Sequence, residues 1–215
     1  MIIEFKDVCS KEGLQGLSLK LSVNDVSQLY DPSENLSRAI LNAIMGLDEV
    51  LSGGIYIDGV GLPQFLDAGL QASFFGYVFD EGIMLSNLSL YENLMLPIRW
   101  LHPDMDDDEI NTKIKALMTL FGLNLDLSFR PVRYRAGDLK LLSFVRCLLI
   151  EPKVLLIDDP YYILNKRERS VLYRVLGLLR EKYSMLIASI DDDFGRGFAN
   201  EIIDLSEYQE YFIIS

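Results

Sequence analysis

At 215 residues the chain is long enough to bury a substantial core as one large α/β domain, and a second independent domain is not expected. Asp and Glu number 32 against 20 Lys and Arg, a net charge of −12, which argues against a general nucleic-acid binder and makes any polyanion an awkward ligand without a local site. His102 is the sole histidine, which excludes histidine-rich metal sites and argues against a histidine-based catalytic triad.

In chain order, Ile2 to Val8 and Leu17 to Val23 alternate apolar and polar residues as half-buried strands do, and Asn24-Asp25 marks a turn into a third short strand, Val26 to Tyr30. The polar loop Asp31 to Asn35 leads into a helix with Leu36, Ile40, Ala43, Ile44 and Leu47 on one face. Gly53-Gly54 reads as a turn into the strand Ile55 to Gly59, and Phe74 to Phe79 as a further strand. From about Leu85 the spacing becomes helical, in Tyr91 to Pro97 and in Asp108 to Phe121, so residues 85–140 or so are expected to form a helical insertion. Asp104 to Glu109 lacks the glycine and ligand spacing of a calcium loop and fits the acidic N-terminus of a helix instead. Leu139 to Ile150 and Lys166 to Tyr183 are helical, Met185 to Ile190 is a buried strand, and Glu201 to Leu205 with Tyr211 to Ile214 reads as an edge hairpin.

Cys9 and Cys147 have apolar neighbours and read as buried, reduced thiols. Residues 1–6 lack the build of a signal peptide and no apolar run approaches the ~20 residues that span a bilayer, so a cytosolic location is expected.

The most informative stretch is Val154-Leu155-Leu156-Ile157-Asp158-Asp159-Pro160. A short apolar run closed by proline is the pattern of a strand buried on both faces of a parallel sheet, and open α/β sheets take their ligands at the carboxyl ends of such strands. Two carboxylates there suit a nucleoside-triphosphatase, in which one acid holds Mg²⁺ and the next orients water; they equally suit an acidic turn that merely stops the strand.

The order of segments resembles the ATP-binding subunit of ABC transporters over essentially the full length. Leu51 to Gly59 is similar to that family's SGxIxxDG hairpin, Gly76 to Asp80 with Leu85 to Asn93 to its Q-loop and LTVxEN segment, and Arg146 to Pro160 to the RAL run ending in Walker B. Gly82 before Ile83-Met84 is similar to the ATPases of bacterial lipid-trafficking importers. The resemblance implies a P-loop α/β fold with a mainly parallel central sheet, an N-terminal antiparallel part and a helical insertion. It also implies MgATP as cofactor, a second cassette or a second copy of the chain as partner, and a membrane-embedded transporter subunit that holds the protein at the inner membrane face.

The chemistry departs from the family. A phosphate loop needs glycines that let amides close on phosphate, a lysine, and a hydroxyl for Mg²⁺. The matching segment puts Asp31, Glu34 and Leu36 at the glycine positions, around Ser33 and Asn35, with Ser37 for the lysine and Arg38 for the hydroxyl. Asp80 stands for the Q-loop glutamine, Ile190 for the switch histidine, Asp159 for the catalytic glutamate, and Tyr134-Arg135-Ala136-Gly137-Asp138 for the signature LSGGQ. Among the Walker B acids Asp158 remains and is expected to serve loop geometry more than metal. No bound cofactor is therefore expected. The reading that follows is a degenerate cassette, structural or regulatory, that offers Arg135 and Gly137 to a partner and, to a membrane subunit, whatever part of Leu94, Met95, Ile98 and Trp100 is exposed, most of these residues being expected in the subdomain core. The alternatives are a slow ATPase with a rebuilt site, and a soluble interaction protein outside any transporter.

Overall fold

The computed structural model describes residues 1–67 and 74–213. Strands β1 (Ile2–Ser10), β2 (Leu17–Ser22), β4 (Val50–Ile57) and β5 (Val60–Gly61) form an antiparallel sheet in the order β2-β1-β4-β5. Strands β3 (Val26–Tyr30), β6 (Phe75–Val78), β7 (Val154–Asp158), β8 (Ser184–Ala188) and β9 (Glu201–Asp204) form an all-parallel sheet in the order β6-β7-β8-β3-β9. The helices are α1 (Asn35–Ile44), α2 (Leu62–Asp67), α3 (Leu90–Leu101), α4 (Asp107–Leu120), α5 (Ala136–Leu149), α6 (Lys166–Leu179) and α7 (Asp192–Phe198).

The apolar run of β7 has the meaning expected of it. Leu155 and Ile157 face a core shared with α3, α4, α5 and α6, while Val154 and Leu156 face a second core shared with α1 and the antiparallel sheet. Every residue of β7 is buried, so alternation by side chain cannot appear as alternation by polarity. β7 is an interior strand between β6 and β8; the middle position belongs to β8.

Helix starts follow local chemistry. Ser89 and Glu92 close a capping box on α3, Asn165 and Glu168 close one on α6, and Asp106 caps α4, which places the acidic run before α4 at a helix N-terminus. Pro97 lies inside α3, where it has no N–H to donate to the preceding turn.

Several expectations are corrected. Gly53-Gly54 is no turn: both lie within β4, opposite a register shift in β1, and Gly53 at φ +77° passes so close to the Lys6 and Asp7 carbonyls that a side chain has no room. Leu47 lies beyond the end of α1 and is exposed. The C-terminal hairpin does not form. β9 runs parallel to β3, residues Ser206–Tyr211 make a 3₁₀ turn, Phe212 bridges Leu14, and Ile214 lies outside the described residues. Cys147 is buried, its thiol pushed up to about 12 by that burial, whereas Cys9 is only half-buried and accepts from the Gly16 amide. Among the described residues no helix is long and apolar enough to cross a membrane.

Candidate functional site

Parallel sheets present their ligands at the carboxyl ends of their strands, and here three segments meet at that edge. They are the loop from β3 to α1, the end of β7, and the segment after β6. The sequence-predicted residues Asp31, Ser33, Ser37, Arg38, Asp80, Asp158 and Asp159 gather there.

The loop is closed by its own side chain. The Asp31 carboxylate is buried, accepting from the Ser33 amide (2.9 Å) and hydroxyl (2.7 Å) with one oxygen and from the Ser37 amide (2.9 Å) with the other. Ser37 is in the first turn of α1, so Asp31 satisfies a helix N-terminal amide, the kind of donor that binds anions. Gln209, in the 3₁₀ turn near the C-terminus, adds a fourth bond from Nε2 at 2.9 Å. Burial alone pushes the Asp31 carboxyl up, but the Ser37 amide, the Ser33 hydroxyl and amide, and Gln209 outweigh it and hold it below the usual aspartate range. Glu34 takes φ +61° and caps nothing with its side chain, and Asn35 is exposed at the start of α1.

The acid expected to face a metal is engaged by a side chain as well. Arg38 turns inward from α1. Its Nε donates to Asp158 Oδ2 at 2.7 Å, and its Nη2 to Asp80 Oδ2 at 2.6 Å. Burial pushes the Asp158 carboxyl up, against the opposing pull of Arg38. Asp158 is thus one half of an ion pair, and the geometric role expected of it falls to its neighbour. Asp159, at φ +28°, accepts from the amides of Tyr161 and Tyr162 through Oδ1 and so caps the turn after β7.

Beneath these groups lies Lys140, wholly buried, donating to the carbonyls of Phe79 (2.6 Å), Asp158 (3.0 Å) and Asp159 (3.0 Å). Burial brings its ammonium down to about 8, against the pull of Asp158, Asp159 and Asp80. The sequence reading missed it. Its signal was a lysine between Leu139 and Leu141-Leu142 on a helix, one turn before Phe144, on a face that otherwise reads as core.

Ile190 lines the crevice between the loop and β7 with Asp31, Glu34, Ser37 and Asp158. That crevice holds about 10 Å³, the space of a single water at most. The signature-like residues form a separate cluster. Arg135 pairs with Asp138 (3.2 Å) and Glu168 (2.6 Å), and buried Gly137 lies so close beneath the Glu168 carboxylate that a Cβ there would collide with it.

Solved structures match this fold. A bacterial ABC transporter cassette solved as a dimer superposes with a TM-score of 0.79 at 21% identity, covering 94% of this chain and 93% of that one. The cbiO1 component of the cbiONQ ABC transporter complex from Clostridium perfringens superposes at 0.70 with 19% identity, over 94% of this chain and 83% of that one. The chain has the fold of the ATP-binding cassettes of ABC transporters. No protein-family model matches the cassette as a sequence. Its sequence relatives include the sulfate/thiosulfate import ATP-binding protein CysA of Mesostigma viride, 28% identical over 89% of this chain and 54% of the relative. They also include the lipoprotein-releasing system ATP-binding protein LolD of Acinetobacter baylyi, 22% identical over 90% of this chain and 89% of the relative. The cassette spans about half the length of the sulfate importers it matches.

The bacterial cassette of that dimer has also been solved with ADP and phosphate bound. The residues of the present cassette do not fit such a ligand. A phosphate at the loop would compete with the Asp31 carboxylate for the same amides, and a magnesium ion at Asp158 would compete with Arg38.

Proposed function

We propose that this cassette is a non-hydrolysing subunit of an ABC transporter, retained to hold a membrane-embedded subunit and a second cassette in place. The observation that carries the reading is the double internal substitution at the sheet edge: the Asp31 carboxylate on the loop amides and the Arg38 guanidinium on Asp158 and Asp80. One supplies the anion and the other the cation that a magnesium nucleotide would bring. Two further features support it. The sites of Asp31 and Glu34 add negative charge where a triphosphate would lie, and unit charges at ~4 Å repel by about 1 kcal/mol in water and several times that in a partly dry site. Asp159 is engaged in its own turn and one methylene shorter than the expected glutamate, so it is poorly placed to orient a water.

On this reading the cassette's remaining work is mechanical. A dimer with an active cassette would leave the partner's nucleotide intact, with Arg135 and Gly137 facing it, and the segment from Asp80 to Trp100 would carry force to the membrane subunit. Titration calorimetry with MgATP tests the proposal: the expected result is no heat of binding up to millimolar nucleotide. A binding isotherm that vanishes in Asp158→Ala would establish a rebuilt, active site and end the proposal.

A further inference from the structure

A hollow of about 430 Å³ opens beside the loop that joins α1 to β4, a volume in the range of small-molecule sites. Among the described residues it shares no lining with the crevice at the phosphate loop. Val50, Ile55, Leu62 and Pro63 give it apolar walls, and Gly46, Gly53 and Gly54 line it without side chains. The ionisable residues described in its lining are both acids, Asp48 and Glu49.

Asp48 is the unusual one. Only 3% exposed, it ties the loop after α1 to the turn after β1 by accepting from the Glu12 amide through Oδ1 at 3.0 Å. Its other oxygen, Oδ2, is covered and has no hydrogen-bond partner among the described residues. Nor does a described lysine or arginine pair with it: the nearby Lys11 turns its ammonium to Glu49, at 3.9 Å. A buried carboxylate held by one neutral donor is costly, and a ligand that brings a positive donor removes that cost.

Two further observations narrow the ligand. Asp48 also lines a neighbouring hollow with Lys11, Glu12, Leu47 and Glu49, where the Lys11 ammonium opposes an incoming cation; the hollow walled by Leu62 and Pro63 has no described cation in its lining. Because Oδ2 is covered, its partner has to be compact, as an ammonium is and a guanidinium fork is not. A metal ion suits the place poorly, since Glu49 is exposed and no cluster of three or more His, Cys, Asp or Glu among the described residues could hold one.

We propose that this hollow binds a small primary amine, its ammonium on the Asp48 carboxylate and its carbon chain against Ile55, Leu62 and Pro63. The site stands apart from the phosphate loop and does not depend on the reading of the cassette as non-hydrolysing.

The probe is n-hexylamine, titrated at neutral pH into the isotope-labelled full chain while the amide resonances of Gly46, Gly53 and Gly54 are followed. These are expected to move and to saturate. Hexanol, of the same length but uncharged, should bind about tenfold more weakly or worse, the low end for a hydrogen bond to a charged group. Hexyltrimethylammonium keeps the charge but has no N–H to donate, and it should fall behind by a similar factor. That comparison separates the site from the general pull of a chain of net charge −12 on any cation. Asp48→Asn keeps an oxygen for the Glu12 amide and should bring the three compounds to similar affinities, whereas Glu49→Gln should leave the preference in place. Thermal unfolding checks that both variants fold. The absence of a saturable shift at these glycines would overturn the proposal, as would binding of hexanol or hexyltrimethylammonium as tight as that of hexylamine. So would a preference that survives in a folded Asp48→Asn or vanishes in Glu49→Gln. Should Asp48→Asn fail to fold, the three compounds compared on the native chain still decide the matter.

Discussion

Asp31 is the residue whose replacement best tests what holds the loop from β3 to α1 in place. At a position where the family uses glycine, it has become a buried carboxylate with four donors, and its removal would strand the Ser33 and Ser37 amides. Asp31→Ala is expected to cost about 2–3 kcal/mol at pH 7, the usual penalty for breaking hydrogen bonds to a buried charged group. The pH dependence has a fixed sign. The folded-state pKa lies below the ordinary value of 3.8, so the folded protein binds fewer protons than the unfolded chain in that window. The contribution is complete above 3.8 and is lost as pH falls through the folded value. Urea unfolding of the two proteins at pH 7 and at successively lower pH should therefore show the gap narrowing only on the acid side; a constant gap would mean that Asp31 acts through packing rather than charge.

Arg38 acts on whole elements, because it ties α1 to the end of β7 and to the segment after β6. That segment is held from below as well, by Lys140 on the Phe79 carbonyl and by Gly82, which rests directly on the backbone of Leu139 and Lys140. Here the segment is held by protein side chains, with no ligand needed to fix it. Arg38→Met leaves Asp158 buried opposite Asp80 with no cation between them. A loss of about 2–3 kcal/mol is expected, short of the value for a fully buried pair because the Arg38 side chain is 40% exposed. Hydrogen exchange should quicken at residues 79–83 well beyond any change in β7, and Arg38→Lys should rescue little, since a single ammonium cannot span two carboxylates as the guanidinium fork does. Uniform quickening across the parallel sheet would show that the pair supports general stability and not the segment. The elements themselves were legible from sequence wherever periodicity carried them: β7 through its apolar run, α4 through spacing and its acidic N-terminus, α6 through spacing. Gly53-Gly54 misled because a bulge and a turn ask for the same residue, and the C-terminal strand misled because Tyr211 and Phe212 are apolar for packing against the antiparallel sheet, not for pairing with β9.

At the scale of the molecule, the two cores on either face of the parallel sheet owe nothing to the site, and this is why the fold could be read from sequence while the site could be read only as departures from the family pattern. The compensations join residues far apart in the chain, Arg38 to Asp158 and Asp31 to Gln209, and no local pattern announces them. One signal was present: the position expected to bind metal had become a cation in the same chain in which the Q-loop position had become an acid. The departures from the family pattern are therefore coupled through Arg38, and changing one of them alone is not expected to open the site. Arg38→Ser returns a hydroxyl to the metal position but leaves Asp31 on the loop amides and Ser37 in place of the lysine. It also takes the net charge from −12 to −13, the removal of one positive residue from a chain already unfavourable to polyanions. MgATP should produce no heat with this variant up to millimolar concentration, even though its core, and with it a single cooperative unfolding transition, stays intact. A variant that gained nucleotide affinity from Arg38→Ser alone would show that the arginine was the only obstacle, and that the Asp31 carboxylate yields its amides to a phosphate when one arrives.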